Sequence, residues 1–137
     1  MFPELTVDIL QNLIMENLSL CPAAKRIGLI GSYARGQQKK NSDVDLIIDA
    51  DNLDYREILS AFGMHVSDIL DYRFNKRLEI VKYRLAKKRA NEKPDSDLNW
   101  YYQEGYQQML NEVKWIYERP SDFGEDKKLS CSRAEIL

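Results

Sequence analysis

At 137 residues, 44% hydrophobic and 31% charged, the chain has room for one modest core and not for two. Its net charge of −2 gives no overall pull toward nucleic acid or an anionic membrane surface. Two cysteines far apart, Cys21 and Cys131, and a single histidine, His65, leave no zinc site of usual spacing and nothing that suggests a disulfide framework, and they weaken a Ser-His or Cys-His nucleophile reading.

Thr6 to Leu20 reads as an amphipathic helix, because Val7, Leu10, Leu13, Ile14 and Leu18 recur at three- and four-residue spacing behind a Thr6 N-cap, with Pro22 beyond the end. The same stretch is not an export signal: Glu4 and Asp8 come early and Gln11, Asn12, Glu16 and Asn17 interrupt the apolar residues. No run reaches the length of a membrane span, so the expected location is the cytoplasm. Ile27 to Gly31 is a short apolar run that suits a buried strand, and Ser32 to Ser42 is a polar, basic loop with room for a helical turn. Val44 to Ala50 reads as a second strand. Leu53 to about Phe74 reads as a helix despite Gly63, with Leu53, Ile58, Leu59, Phe62, Val66, Ile69 and Leu70 as its apolar stripe.

Leu78 to Tyr83 is then a third strand. Residues 73–93 hold nine Lys or Arg against two Glu, which reads first as solvated charge on a strand end and a short helix. Pro94 and Asp95-Ser96-Asp97 mark a break and a helix start, and Leu98 to Glu118 reads as one long helix. Trp100, Tyr101, Tyr102, Tyr106, Met109, Val113, Trp115, Ile116 and Tyr117 spread around more than one of its faces, a surplus that points to a protein interface. The expectation is a single domain over residues 1–118, with its core motif at 27–83, a C-terminal helix at about 97–118, and a polar, poorly ordered tail over 119–137. The class is α+β, close to α/β: a small mixed β-sheet flanked by helices.

The chemistry is concentrated between Gly31 and Asp45. On a strand, Val44, Leu46 and Ile48 point one way while Asp43 and Asp45 point the other, with their α-carbons about 7 Å apart. Two carboxylates about 6 Å apart repel by roughly 3 kcal/mol at an effective dielectric of 20, a cost that serves no structural purpose on one face of a strand. A cation between them reverses the sign, and carboxylate oxygens are the hard ligands Mg²⁺ prefers. Gly31-Ser32 directly follows a buried strand, where a tight turn presents backbone N–H groups and a hydroxyl to a phosphate. Arg35, Lys39 and Lys40 add positive charge around a polyphosphate. Two metal ions need a third carboxylate, and Glu79, flanked by the opposite-facing Leu78 and Ile80, supplies it together with general-base help for an acceptor hydroxyl. Asp68 and Asp71 are the alternatives for that third position. The plain readings are a solvated strand face for the two aspartates, a simple turn for Gly31-Ser32, and surface pairing of Glu79 with Arg77 or Lys82.

The stretch Gly31 to Asp45 has the form G-S, ten residues, D-x-D, and resembles the polymerase-beta-like nucleotidyltransferase superfamily. Its length and its GSYARG start look most like the minimal nucleotidyltransferases (MNT) that occur beside HEPN-domain proteins. The resemblance covers about Ile27 to Tyr83. It implies the polymerase-beta-like fold, ATP or another NTP as substrate, two Mg²⁺ ions, catalytic and metal-binding roles for Asp43, Asp45 and Glu79, and nucleotide-binding roles for Gly31, Ser32, Arg35 and Lys40. It also implies an antitoxin role in which AMP is moved onto a tyrosine of a HEPN-type partner. Glu79 departs from the aspartate more usual at the third position. That departure keeps open a catalytically weak module that neutralises its partner by contact, and an aminoglycoside-type small-molecule nucleotidyltransferase is a further alternative.

Overall fold

The computed structural model describes residues 2–50, 56, 58–92 and 97–120. Helix α1, Val7–Glu16, starts where the Thr6 hydroxyl accepts a hydrogen bond from the Ile9 amide, so the sequence-level cap is the structural one. A 3₁₀ turn at Leu18–Leu20 leads into strand β1, Ala24–Ile30, and the short helix α2, Gly31–Arg35, follows without a gap. Strand β2 spans Val44–Ala50, and a π-helical turn at Ile58–Gly63 runs into helix α3, Met64–Phe74. Strand β3, Leu78–Lys82, passes directly into helix α4, Tyr83–Asn91. Helix α5, Asp97–Glu112, and strand β4, Lys114–Glu118, complete the described chain.

The four strands form one mixed sheet in the order β3-β2-β1-β4. β1 runs antiparallel to β2 and β4, whereas β2 and β3 are parallel. A parallel pair needs a crossover, which the Ile58–Gly63 turn and α3 provide on one face of the sheet. On that face Ile27, Leu29, Val44, Leu46 and Ile48 pack with Leu10, Leu13 and Ile14 of α1 and with Phe62, Val66 and Leu70. Each fully buried side chain of this size contributes about 1.5–3 kcal/mol. On the other face Ile30 and Ile47 meet Ala86 of α4, with Tyr106, Met109, Leu110, Val113 and Trp115 around them. β2 is therefore covered on both sides, which is why it reads as an almost unbroken apolar run interrupted only by acids. The α+β class, with a small mixed sheet flanked by helices, is the observed one.

Three expectations need correction. The helix expected to continue to Glu118 ends at Glu112, and Lys114–Glu118 is a strand paired with β1. Trp115, Ile116 and Tyr117 are good strand formers, and β1 offers an open edge that outweighs their fit to a helical pattern. The expected interface helix is also divided. Tyr106, Met109 and Val113 pack against the second core, while Tyr101 and Tyr102 are 69% and 55% exposed and touch edge to face. In the expected Leu53 to Phe74 helix, Ile58–Gly63 is π-helical and Met64–Phe74 is α-helical. The start of that helix, the break at Pro94 and the tail over 121–137 lie outside the described residues.

Gly28 explains how β4 can lie so close. A Cβ there would stand 2.6 Å from Val113 Cγ2 and 3.0 Å from Trp115 Cε3. Beside it, Arg26 lies over the rings of Trp115 and Tyr83, which meet edge to face, with its guanidinium carbon 4.0 and 4.8 Å from their centroids, and donates to Asp49 at 3.1 and 3.2 Å. That cross-strand ion pair satisfies Asp49, which is only 7% exposed. His65 is exposed on α3, as an ordinary helix residue. Among the described residues no helix is long and apolar enough to cross a membrane.

Candidate active site

The site is built where β1 ends and β2 begins, two ends that antiparallel pairing brings side by side. Ile30 stands opposite Asp45, and the next residue, Gly31, turns the chain into α2 with a φ of +69°. An L side chain rarely adopts that backbone conformation. Space forbids one as well, because a Cβ on Gly31 would lie 2.7 Å from Asp45 Oδ2. The glycine thus allows the backbone of the turn to touch the carboxylate. Ser32 follows in the first turn of α2, where amides have no partner within the helix, and the buried Tyr33 anchors the turn to the main core.

Asp45 and Glu79 are register partners on the parallel strands β2 and β3, so their side chains project from the same face. Leu78 and Ile80 point into the main core on the other face, as their alternation with Glu79 requires. Asp43 is exposed one residue before β2 starts. The Asp45 carboxyl titrates at about 6, well above its ordinary range. Burial is the largest cause, followed by the charges of Glu79 and Asp43 and a hydrogen bond with Glu79; Arg35 opposes the shift. Asp68 and Asp71, the other acids considered for the third position, are exposed on α3 and are not register partners of Asp45.

Among the described residues no three acid, His or Cys side chains approach closely enough to enclose a metal ion. The arrangement is instead an Asp45–Glu79 pair with Asp43 as a neighbouring charge. An open, all-oxygen donor set of this kind fits Mg²⁺, which characteristically takes one or two carboxylates and completes its shell with water and substrate phosphates. Burial first, and then the neighbouring carboxylates, raise the Asp45 carboxyl, and a divalent cation would offset the second of these causes.

Cationic groups border the acids. Arg35 is exposed; its Nη1 donates to Glu112 Oε1 at 2.9 Å and its Nε to Gln37 Oε1 at 3.2 Å. Lys39, Lys40 and Asp43 line a cavity of about 1060 Å³ whose wall also includes Tyr33, Phe74 and Arg77. Gln38 Oε1 is buried in that wall without a hydrogen-bond partner. A second cavity, of about 660 Å³, abuts Leu78 and Ile80 and so lies on the face away from Glu79.

Of the residues singled out in the sequence, Gly31, Asp45 and Glu79 come together, Ser32 follows Gly31, and the charges of Asp43 and Arg35 act on Asp45, whereas Lys39 and Lys40 line a cavity with Asp43 that Gly31, Ser32, Asp45 and Glu79 do not line. Lys76 was not singled out. It is only 7% exposed, and its ammonium donates to the carbonyls of Lys39 and Lys40. Inside a run of solvated cations nothing in the sequence marks it. The rest of the basic stretch conforms to the plain reading, with Lys82, Arg84, Lys87, Lys88 and Arg89 exposed.

The family model described as "Nucleotidyltransferase domain" matches residues 10–136. No protein of curated function matches the chain in sequence. Among solved structures, a mutant of the MntA–HpeT toxin–antitoxin is similar at 20% identity and a TM-score of 0.50, over 82% of this chain and 76% of that one. A toxin–antitoxin with AMP-PNP is 20% identical over 74% and 86% of the two chains, with a TM-score of 0.44. A tri-AMPylated Shewanella oneidensis HEPN toxin in complex with MNT antitoxin is 18% identical over 84% and 75%, with a TM-score of 0.47.

Proposed function

From the chain's membership of the nucleotidyltransferase domain family, and hence its standing as a nucleotidyltransferase, we propose that it moves AMP from ATP onto a tyrosine hydroxyl of a HEPN-type protein partner, as an antitoxin. The observation that carries the reading is the Asp45–Glu79 pair, flanked by Asp43 and touching the Gly31 turn. The fold it shares with MntA of the MntA–HpeT pair agrees with the choice of partner.

In the reaction the acceptor oxygen attacks the α-phosphorus, the bond to the bridging oxygen breaks, and pyrophosphate leaves. Gly31 and Ser32 hold the polyphosphate through first-turn amides and the Ser32 hydroxyl. Arg35 and Lys40 balance its charge from the border of the site. Glu79, the exposed register partner of Asp45, takes up the acceptor proton. Asp43, Asp45 and Glu79 would hold Mg²⁺, which supplies charge neutralisation at the α-phosphate when bound. Glu79, one methylene longer than aspartate, stands on the edge strand β3.

Calorimetry with ATP, with and without Mg²⁺, and transfer of label from α-³²P-ATP to a co-expressed HEPN protein test the reading. Wild type should bind ATP only with Mg²⁺ and label the partner, and Asp45→Asn should do neither. Label transfer by Asp45→Asn at the wild-type rate removes the acids from the reaction. Neutralisation of the partner without any ATP binding favours the contact-only module instead.

A further inference from the structure

A lysine side chain is rarely buried, because its ammonium loses hydration that only close partners replace. Lys76 is nevertheless 7% exposed, in the turn between α3 and β3. Among the described residues no carboxylate pairs with it. Its ammonium is satisfied by two main-chain carbonyls, Lys39 O at 3.1 Å and Lys40 O at 2.6 Å, and lies 6.0 Å from the centre of the Tyr33 ring. An apolar residue would fill the same space without losing hydration. A charge kept there for stability alone is poorly explained.

Both ends of this strap are informative. On one side the Lys76 backbone is fixed: its amide donates to Leu70 O at 3.1 Å, closing α3 behind the left-handed Asn75, while Val44 N donates to Arg77 O at 2.8 Å, one residue further on. Lys76 therefore belongs to the same rigid frame as Asp45 and Glu79. On the other side lies the segment joining α2 to β2. Here Lys39 N donates to Ser42 Oγ at 2.7 Å and Ser42 N to Lys39 O at 3.0 Å, which folds 39–42 into a tight turn. That turn ends at Asp43 and carries Lys39 and Lys40. Among the described residues, the turn is hydrogen-bonded to Lys76 and within itself, and just before it Gln37 N donates to Ser32 O of α2.

We propose that Lys76 is a positioning residue for nucleotide transfer: its buried ammonium straps the 39–42 turn to the β2–β3 frame and so sets Asp43, Lys39 and Lys40 relative to Asp45 and Glu79. The proposal rests on the reading of those acids as the reacting site. Lys76 touches no reacting group; it acts through the turn. An arginine retains the charge and enough donors for both carbonyls, whereas methionine retains only the volume.

The test compares wild type, Lys76→Met and Lys76→Arg in full-length protein. Amide hydrogen exchange of residues 39–43 and of β1 is measured alongside calorimetric binding of AMP-PNP over a series of Mg²⁺ concentrations. In Lys76→Met, exchange over 39–43 should accelerate at least tenfold while β1 is unchanged. AMP-PNP should bind about tenfold more weakly, and the Mg²⁺ midpoint should rise. Lys76→Arg should recover most of both effects. Unchanged exchange over 39–43 in Lys76→Met overturns the strap. Accelerated exchange with wild-type AMP-PNP affinity and Mg²⁺ midpoint overturns its role in positioning. Equal acceleration over β1 makes the lysine a general stability residue and overturns the proposal as well. A wild-type protein that binds no AMP-PNP at any Mg²⁺ concentration overturns the reading of the acids instead, a result the exchange measurement keeps separate.

Discussion

Replacing Asp45 with asparagine should stabilise the fold while abolishing transfer. The folded protein raises the Asp45 carboxyl from 3.8 to about 6, so it holds this proton more tightly than the unfolded chain does. The contribution to folding is therefore at its best below about pH 3.8, is lost progressively as pH rises to about 6, and stays lost above that. A shift of about two units corresponds to roughly 3 kcal/mol, and screening of this half-exposed group reduces that to about 1–2 kcal/mol. Asparagine has the same shape, carries no charge, and offers an amide donor to Glu79. Urea denaturation in EDTA at pH 7.5 should show Asp45→Asn more stable than wild type by about 1–2 kcal/mol, with the gap closing near pH 4. Added Mg²⁺ with AMP-PNP should raise the midpoint of wild type and leave the variant unmoved. An asparagine variant no more stable than wild type at pH 7.5 would refute the claim that the folded site disfavours the ionised Asp45 carboxylate.

Other substitutions test the neighbouring geometry. Gly31→Ala, which forces a Cβ against Asp45 Oδ2 at a φ of +69°, should cost about 1–3 kcal/mol in thermal or urea unfolding and reduce ATP binding by more than tenfold in calorimetry. Gly28→Ala should destabilise by about 1–3 kcal/mol through its clash with Val113 and Trp115, yet leave the ATP affinity of the folded fraction unchanged. The Mg²⁺ concentration needed for half-maximal ATP binding should rise as pH falls through about 6, because Asp45 must give up its proton to serve as a ligand; a flat profile between pH 5 and 8 would exclude Asp45 from the binding set.

Strand alternation made part of this arrangement legible: Asp45 and Glu79, each between apolar neighbours that pack into the main core, must turn to the other face, whereas Asp43 precedes β2 and escapes that rule. The pairing of Asp45 with Glu79 follows from the same rule once β2 and β3 are parallel and in register. What escaped sequence reasoning depends on contacts distant in the chain. The segment Trp115-Ile116-Tyr117 suits either a helix or a strand, and only the free edge of β1 decides between them. Arg26 and Asp49 look like surface charges until register sets them opposite each other beneath two aromatic rings. The burial of Lys76 is equally hidden, since the carbonyls that receive it belong to a turn some thirty-six residues earlier.

The place of β4 has a consequence for how the protein is made. Gly28 and Trp115 face each other across the sheet but are 87 positions apart in the chain. At synthesis rates of about 5–20 residues per second, β1 emerges roughly 4–17 s before its outer neighbour exists. Throughout that interval the nascent chain carries an unpaired edge next to a glycine with no side chain to shield it, which invites pairing with another chain. A product ending before residue 114 is thus expected to be lost to aggregation, and a ribosomal pause late in the message would be more damaging than an early one.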